Sequence, residues 1–248
     1  MKWKQGYDLI LAGVAVTWTI ALGFVGYQRD IGHWRQTIVI NERQQMTPRH
    51  VVTENINVTN VRNNVSVSLP GIGKRVGTIS IPKLGILLPI GSKPHQMQAL
   101  AQGAQQLSTA SGKPGRGNFI VVAHNYGDGK TMFSALQQYV WQDSPYLVAN
   151  KSHENNWLNG QHIYVATAQR IYDYVIQGQR VVKANDLSVV QASSKDEINL
   201  LTCLIPTDSY RIVTHGKLRR SWSWDQVPRP VLMNFDLNQF HYNLAKSR

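Results

Sequence analysis

The sequence contains a single cysteine, Cys203, and an arginine, Arg211, follows it eight residues later. An apolar run at residues 198–201 leads into the cysteine and is typical of a buried strand. Turn-forming residues then separate it from a second β-rich run that begins at Tyr210. Adjacent strands joined by a short loop usually pair, so we expect the thiol and the guanidinium to lie close together. A fixed cation beside a sulfur favours the nucleophilic thiolate and can stabilise an oxyanion. The pattern predicts nucleophilic catalysis, and a buried cysteine that packs as a small apolar residue is the alternative.

A histidine far from the cysteine in the sequence supplies a candidate base. The β-rich run at residues 118–123 ends at His124, which precedes a glycine-containing loop. A histidine at a strand end can present its imidazole at the mouth of a site. A single cysteine with a distant histidine is a recognised nucleophile and base. In a papain-like hydrolase the cysteine precedes the histidine, whereas here the histidine comes first.

Residues 199–203 read Asn-Leu-Leu-Thr-Cys and resemble the signature Thr-Leu-x-Thr-Cys of sortases, the cysteine transpeptidases of the Gram-positive cell surface. The sequence departs from that signature at Asn199. The likeness covers roughly residues 76–216 and is greatest to class A, the housekeeping type. Neither the lid segment nor the second membrane helix of the pilus-polymerising class is visible. Further segments that resemble the family are 77–82 and 88–90 (opening strands), 122–124 (the strand of the catalytic histidine), 132–136 (the following helix) and 210–213 (the strand of the essential arginine).

The resemblance implies three catalytic roles. Cys203 is expected to attack a backbone carbonyl and form a thioester, with His124 as general acid and base and Arg211 as oxyanion stabiliser. The implied donors are LPxTG-containing surface proteins, cut between threonine and glycine. The implied acceptor is the amine of a lipid II-type peptidoglycan precursor. No cofactor is expected.

Three further residues are candidates for substrate binding. Strand alternation aims Leu201 to the same side as Cys203, and Val122 to the same side as His124. We expect these two residues, with Thr202, to contact the donor peptide. Ordinary core packing is the alternative interpretation for Val122 and Leu201.

The chain is basic, with 26 Lys and Arg against 14 Asp and Glu and a pI of about 9.9. This balance predicts contact with polyanions such as anionic lipid or wall polymer. The basic residues are scattered and interleave with aromatics only in the C-terminal tail, so nucleic acid is not an expected partner. A wall-binding or polyanion-binding module without catalysis is the alternative function. No Asp or Glu occurs between Glu54 and Asp128, which removes half of a carboxylate cluster for calcium, so no metal site is expected.

The N-terminal part predicts a membrane anchor. Residues 1–8 form a short cytoplasmic end, and residues 9–27 run for nineteen positions without a charge, enough for a helix to cross a bilayer. A cleaved signal peptide is the alternative, but its apolar region is normally shorter. We therefore expect a single-pass protein of the cell membrane whose residues 28–75 are a stalk or linker. An extracytoplasmic catalytic part is what the resemblance implies.

Residues 76–220 predict the catalytic fold. Short β-rich runs alternate with Gly, Pro and Asn, which suggests a closed sheet. We expect a mainly β protein, an eight-stranded sortase-type β-barrel with short helices near 96–102 and 131–139. The long connection at 178–196 is expected to help bind substrate, and the basic, aromatic tail at 221–248 has no assigned role. The predicted strands are 76–81, 86–90, 118–123, 146–149, 162–168, 170–177, 198–203 and 210–215.

Overall fold

A computed structural model describes residues 56–107 and 111–237 of the chain. Within these residues the protein is mainly β, with α1 (Val58–Ser66), α2 (Met97–Gln102) and α3 (Arg229–Met233) as its α-helices. The strands are β1 (Gly77–Ile81), β2 (Ile86–Gly91), β3 (Ala104–Gln106), β4 (Gly112–Lys113), β5 (Arg116–Val122), β6 (Leu147–Val148), β7 (Lys151–Ser152), β8 (His162–Ala166), β9 (Arg170–Lys183), β10 (Glu197–Cys203) and β11 (Tyr210–Ser223). Single 3-10 turns lie at Pro82–Leu84, Ser134–Leu136 and Leu187–Val190.

The strands form a sheet that closes on itself. The order is β10, β11, β9, β8, β1, β2, β3 and β5, and the ring closes because β5 also pairs with β10. Neighbours are antiparallel, except that β2 with β3 and β5 with β10 run parallel. β4 extends the sheet beyond β5 as a short hairpin. The ring makes direct neighbours of β5 and β10, the strands that lead to His124 and Cys203.

Two of the predicted elements are shorter than expected, and one of them lies outside the ring. The run at 146–149 is not a strand of the ring, because β6 and β7 pair only with each other. Tyr146 is fully buried and its hydroxyl donates to the carbonyl of Leu136 at 3.0 Å, so packing of its ring explains the apolar pattern. The eighth place in the ring belongs to β3, which the sequence did not predict. The helix expected near 131–139 is reduced to the single 3-10 turn Ser134–Leu136.

β9 and β11 are longer than predicted and form a two-stranded ribbon along nearly their whole lengths. Register shifts interrupt the pairing after His215 and after Leu218. Such bulges increase the local twist of a sheet and help it to curve. Because β9 continues to Lys183, the connection before β10 comprises residues 184–196 rather than 178–196.

The interior of the ring is a single apolar core. Alternate residues of the strands point inward, as expected from the two-residue period of a β-strand. In β5 the outward-facing Ile120 and Val122 are apolar as well, so residues 119–122 form a continuous apolar run, whereas Asn199 interrupts the corresponding run in β10. Core residues that are at most 1 % exposed include Ile79, Ile81, Ile86, Leu88, Phe119, Val121, Ile198 and Leu200.

A second apolar cluster joins the N-terminal and C-terminal parts of the described chain. Val61 and Val65 of α1, one helical turn apart, are buried with Leu232 and Phe235 near α3. Asn57 caps the helix, and its side chain accepts a bond from the backbone N–H of Thr59 at 2.9 Å. The sequence assigned this region to the linker at 28–75 and gave no role to the tail. In the structure, Val61 and Val65 from the first segment and Leu232 and Phe235 from the second pack together in this cluster.

The predicted membrane helix at 9–27 lies outside the described residues. No helix in the part of the chain that the structure describes combines the length and apolar character needed to cross a bilayer.

Candidate active site

Cys203 and Arg211 face each other across two paired strands. Cys203 is the last residue of β10 and lies directly opposite Arg211 in β11. The next pair is hydrogen-bonded, with the N–H of Leu204 donating to the carbonyl of Tyr210 at 3.1 Å. Hydrogen-bonded and non-hydrogen-bonded pairs alternate along antiparallel strands. Cys203 and Arg211 therefore form a non-hydrogen-bonded pair, in which side chains come closest. Both side chains therefore project from the same face of the sheet.

His124 lies on the other side of Cys203. β5 runs parallel to β10 with Val122 opposite Leu201. The alignment continues past the end of β5, because the N–H of Ala123 donates to the carbonyl of Leu201 at 3.2 Å. Two residues further along each strand, His124 stands beside Cys203 on the same face. The structure thus brings His124, Cys203 and Arg211 into one row across three adjacent strands.

The environment of His124 favours its neutral form. The side chain is half-buried, and its ring lies 5.5 Å from that of Tyr126, centroid to centroid. Burial penalises the charged imidazolium and lowers the pKa of His124 below its usual value of 6.5. At neutral pH the imidazole is therefore uncharged and can accept a proton. Its backbone is fixed by a bond from the N–H of Phe133 to the carbonyl of His124 at 3.0 Å.

Arg211 is a buried cation held by backbone carbonyls. Its residue exposure is only 7 %. Nη1 donates to the carbonyl of Tyr210 at 2.9 Å and also to the carbonyl of Asp208. No carboxylate among the described residues forms a salt bridge with it. Within those residues Nε and Nη2 have no hydrogen-bond partner, so they remain able to donate to an anion. A buried charge without an ionic partner is costly, which favours a functional role for this residue.

Two buried amides, which the sequence did not predict, connect the loops behind the row of His124, Cys203 and Arg211, which we call the catalytic row for its predicted role. Asn125 is 5 % exposed, and its Nδ2 donates to the carbonyl of Cys203 at 2.9 Å and to Oε1 of Gln137 at 2.6 Å. Gln137 Oε1 also accepts from the N–H of Ile205 at 3.0 Å, while its Nε2 donates to the carbonyl of the same residue. The pair holds the chain after His124 against the chain after Cys203. In the sequence, the position of Asn125 next to His124 could have marked it as part of the site. Gln137 carries no such mark, because glutamine is ordinarily a surface residue.

A largely buried apolar cluster adjoins the row. We call it the outer apolar cluster: Ile120, Val189, Leu201 and Val213, with Leu107, Val122, Val182 and Val190 packed against them. Val122 and Leu201, both predicted to bind substrate, belong to it. They occupy the cross-strand row next to that of His124 and Cys203. Residues 184–196 supply Val189 and Val190, so this connection forms one wall of the cluster.

Thr202 is placed differently from the other two predicted substrate-binding residues. Its side chain is 2 % exposed, and Oγ1 donates to the carbonyl of Ala123 at 2.9 Å. It alternates with Leu201 and Cys203 and so points to the opposite face of β10. The side chain of Thr202 therefore joins β10 to the end of β5 and does not line the outer apolar cluster.

Within residues 56–107 and 111–237, no three side chains of His, Cys, Asp or Glu come together in an arrangement suited to a metal ion.

Comparison with known proteins identifies the family. Residues 79–219 match the model of the sortase domain. Sortase A of Bacillus anthracis is 24 % identical over 88 % of this chain and 97 % of its own length. Sortase A of Streptococcus agalactiae is 23 % identical over 98 % of this chain and 95 % of its own. The structure of Listeria monocytogenes sortase A shares the fold, with a TM-score of 0.50 and 20 % identity over 67 % of this chain and 96 % of that chain. The match covers more than half of the sequence and contains His124, Cys203 and Arg211, and so the chain belongs to the sortase family of cysteine transpeptidases.

Proposed function

We propose that this protein cleaves an LPxTG-type sorting signal between threonine and glycine and joins the surface protein to the amine of a peptidoglycan precursor. The observation that carries the proposal is the row of His124, Cys203 and Arg211, which stands at the edge of the outer apolar cluster. A nucleophile, a base and an anion-binding group lie together there beside an apolar cluster, four of whose members are only partly buried. Acyl transfer from a peptide with apolar side chains requires these four features.

The first half of the reaction forms a thioester. The sulfur of Cys203 attacks the carbonyl carbon of the threonine, while neutral His124 accepts the thiol proton. The C–N bond to glycine then breaks, and the imidazolium of His124 returns the proton to the departing amine. The lowered pKa of His124 suits this step, because a weakly basic imidazole releases its proton readily.

The second half transfers the acyl group. An incoming amine attacks the thioester, His124 takes its proton, and the sulfur of Cys203 leaves and is reprotonated. Arg211 stabilises the negative oxygen of both tetrahedral intermediates through Nε and Nη2, while Nη1 stays bonded to the carbonyls of Asp208 and Tyr210. The backbone bonds hold the guanidinium in place before the substrate arrives, so little reorganisation accompanies charge formation.

Donor selection depends on the outer apolar cluster. The leucine and proline of the sorting signal are apolar, and their burial against Val122, Leu201 and the wall at 184–196 would remove apolar surface from water. Burying one such side chain fully is worth about 1.5–3 kcal/mol. Thr202 supports the site through its bond to the carbonyl of Ala123.

Membrane attachment is part of the proposal. Residues 9–27 would anchor the protein in the cell membrane with its catalytic part outside, where surface proteins and wall precursors are found. This placement brings the enzyme to a membrane-bound acceptor of the lipid II type.

The test uses the full-length chain in detergent with a quenched sorting-signal peptide and an amine acceptor. We expect fluorescence to rise and a new amide product to form, and both to be lost in Cys203→Ala. Mass spectrometry of the stopped reaction should show an acyl adduct on Cys203. Peptide binding without turnover in the wild type would instead support the non-catalytic binding module.

A further inference from the structure

The connection at residues 184–196 forms one wall of the outer apolar cluster. Polar side chains bind this wall at three consecutive backbone carbonyls. Nδ2 of Asn118, in β5, donates to the carbonyl of Val189 at 3.1 Å and to that of Gln191 at 2.8 Å. Oγ of Ser111 donates to the carbonyl between them, that of Val190, at 2.6 Å. The connection at 184–196 has little regular structure apart from the 3-10 turn, so these bonds are a main constraint on its position.

A second amide fixes the orientation of the first. Oδ1 of Asn118 accepts a bond from Nδ2 of Asn199, in β10, at 2.8 Å. The two residues are 4 % and 7 % exposed. An asparagine amide has its acceptor on one side and its donors on the other. The bond from Asn199 therefore directs the NH₂ group of Asn118 towards the connection. Oδ1 of Asn199 in turn lies 3.3 Å from Nδ1 of His215.

This pair of amides lies on the same face as the catalytic row but at a distance from it. Asn199 precedes Cys203 by four residues in β10, and Asn118 precedes His124 by six residues in the direction of β5. Between them and the row lie Val122 and Leu201 of the outer apolar cluster. Asn199 is also the position at which the sequence departs from the family signature.

We propose that Asn118, oriented by Asn199, is a positioning residue that fixes the wall at 184–196 and thereby the affinity for the donor peptide. The proposal rests on the function proposed above, because it assigns the apolar cluster to donor binding. The amide pair holds Val189 against Leu201 and Val213 through the neighbouring backbone. Loosening the wall weakens peptide binding and leaves the thiol, the imidazole and the guanidinium in place.

The test compares Asn118→Asp with wild type in the full-length chain in detergent. Aspartate keeps the shape and the acceptor for Asn199 but removes both donors to the wall. We expect amide hydrogen exchange in residues 184–196 to accelerate about thirtyfold, consistent with the loss of two hydrogen bonds worth about 1 kcal/mol each. We expect KM for the sorting-signal peptide to rise about tenfold while kcat stays within about twofold. The rate at which iodoacetamide alkylates Cys203 should not change.

Two further variants complete the design. Asn159→Asp makes the same change at an exposed position and should leave both readouts at wild-type values. Ser111→Ala removes only the bond to Val190 and should move exchange and KM in the same direction by a smaller factor. It also keeps the test decisive if Asn118→Asp fails to fold.

Three results would overturn the inference. If amide hydrogen exchange at residues 184–196 is unchanged in the variants, the amides do not hold the wall. Faster exchange without a change in KM would show that the wall does not set donor affinity. A fall in kcat or in alkylation rate at constant KM would place the effect in the catalytic row. If the wild type shows no turnover, the proposed function fails, and the exchange measurement still decides whether Asn118 holds the wall.

Discussion

The sharpest test of the proposed site is Arg211→Lys, which keeps the charge and changes the geometry. Arginine here performs two tasks at once, since Nη1 bonds to two backbone carbonyls while Nε and Nη2 are left to donate to an oxyanion. A lysine ammonium is a single point at the end of a flexible chain and lacks the planar fork. If it bonds to the carbonyls of Asp208 and Tyr210, it loses the position from which to stabilise the oxyanion.

The magnitude follows from the number of donors lost. Removing one oxyanion donor typically lowers kcat by a factor of about a hundred to a thousand, or about 2.7–4 kcal/mol. Because lysine keeps the positive charge nearby, we expect the lower end, a loss of about a hundredfold in kcat with little change in KM. Stability should fall by only about 1 kcal/mol, because the ammonium can still satisfy a buried carbonyl.

The assay measures transpeptidation of a quenched peptide at saturating donor, together with thermal unfolding. Arg180→Lys is the matched control, since Arg180 is exposed in β9 and lies opposite Val213, one row from Cys203 and Arg211. That variant should retain wild-type kcat. A kcat for Arg211→Lys within about threefold of wild type would refute the assignment of the guanidinium fork to the oxyanion.

Four other outcomes are expected. Gln137→Leu leaves buried backbone groups without partners and should lower the free energy of unfolding by about 3 kcal/mol in urea titrations, and an unchanged midpoint would contradict the role of this amide. Burial disfavours protonated His124, so the acidic limb of kcat/KM should have its midpoint below pH 6.5, and a midpoint above that value would contradict neutral His124 as the proton acceptor. Transpeptidation should proceed equally in chelator and in millimolar calcium, whereas saturable activation would reveal a calcium site. The protein should fractionate with membranes and be cut by external protease after wall removal, and recovery in the cytosol would exclude an anchor at residues 9–27.

Local sequence patterns predicted the strands that bury apolar side chains. The predicted boundaries at 86–90 and 198–203 lie within one residue of β2 and β10, because apolar runs bounded by turn residues are a local signal. The same reasoning missed β3, whose residues are Ala-Gln-Gln and have little tendency to form a strand. It also ended β9 at residue 177, the first residue of the polar segment Gln-Gly-Gln. Pairing with β2, β5 and β11 stabilises these segments, and such pairing is not encoded locally.

The types of the candidate catalytic residues could likewise be read from the sequence, and the resemblance to sortases was confirmed by the family match. The antiparallel pairing of Cys203 with Arg211 was predictable because a short loop joins their strands. The amides of Asn118 and Gln137 were not, since each owes its importance to carbonyls that lie more than 60 residues away in the chain.

The sequence alone determined which side chains can act as nucleophile, base and cation, because these are properties of residue type and of strand ends. Only the tertiary structure decided that His124 stands beside Cys203. That contact depends on the parallel pairing of β5 with β10, two strands far apart in the chain, and on its register. A shift of one residue in that register would turn His124 and Val122 to the opposite face. The register is set by the apolar core on one face and by the wall at 184–196 on the other, both of which form only when the ring closes.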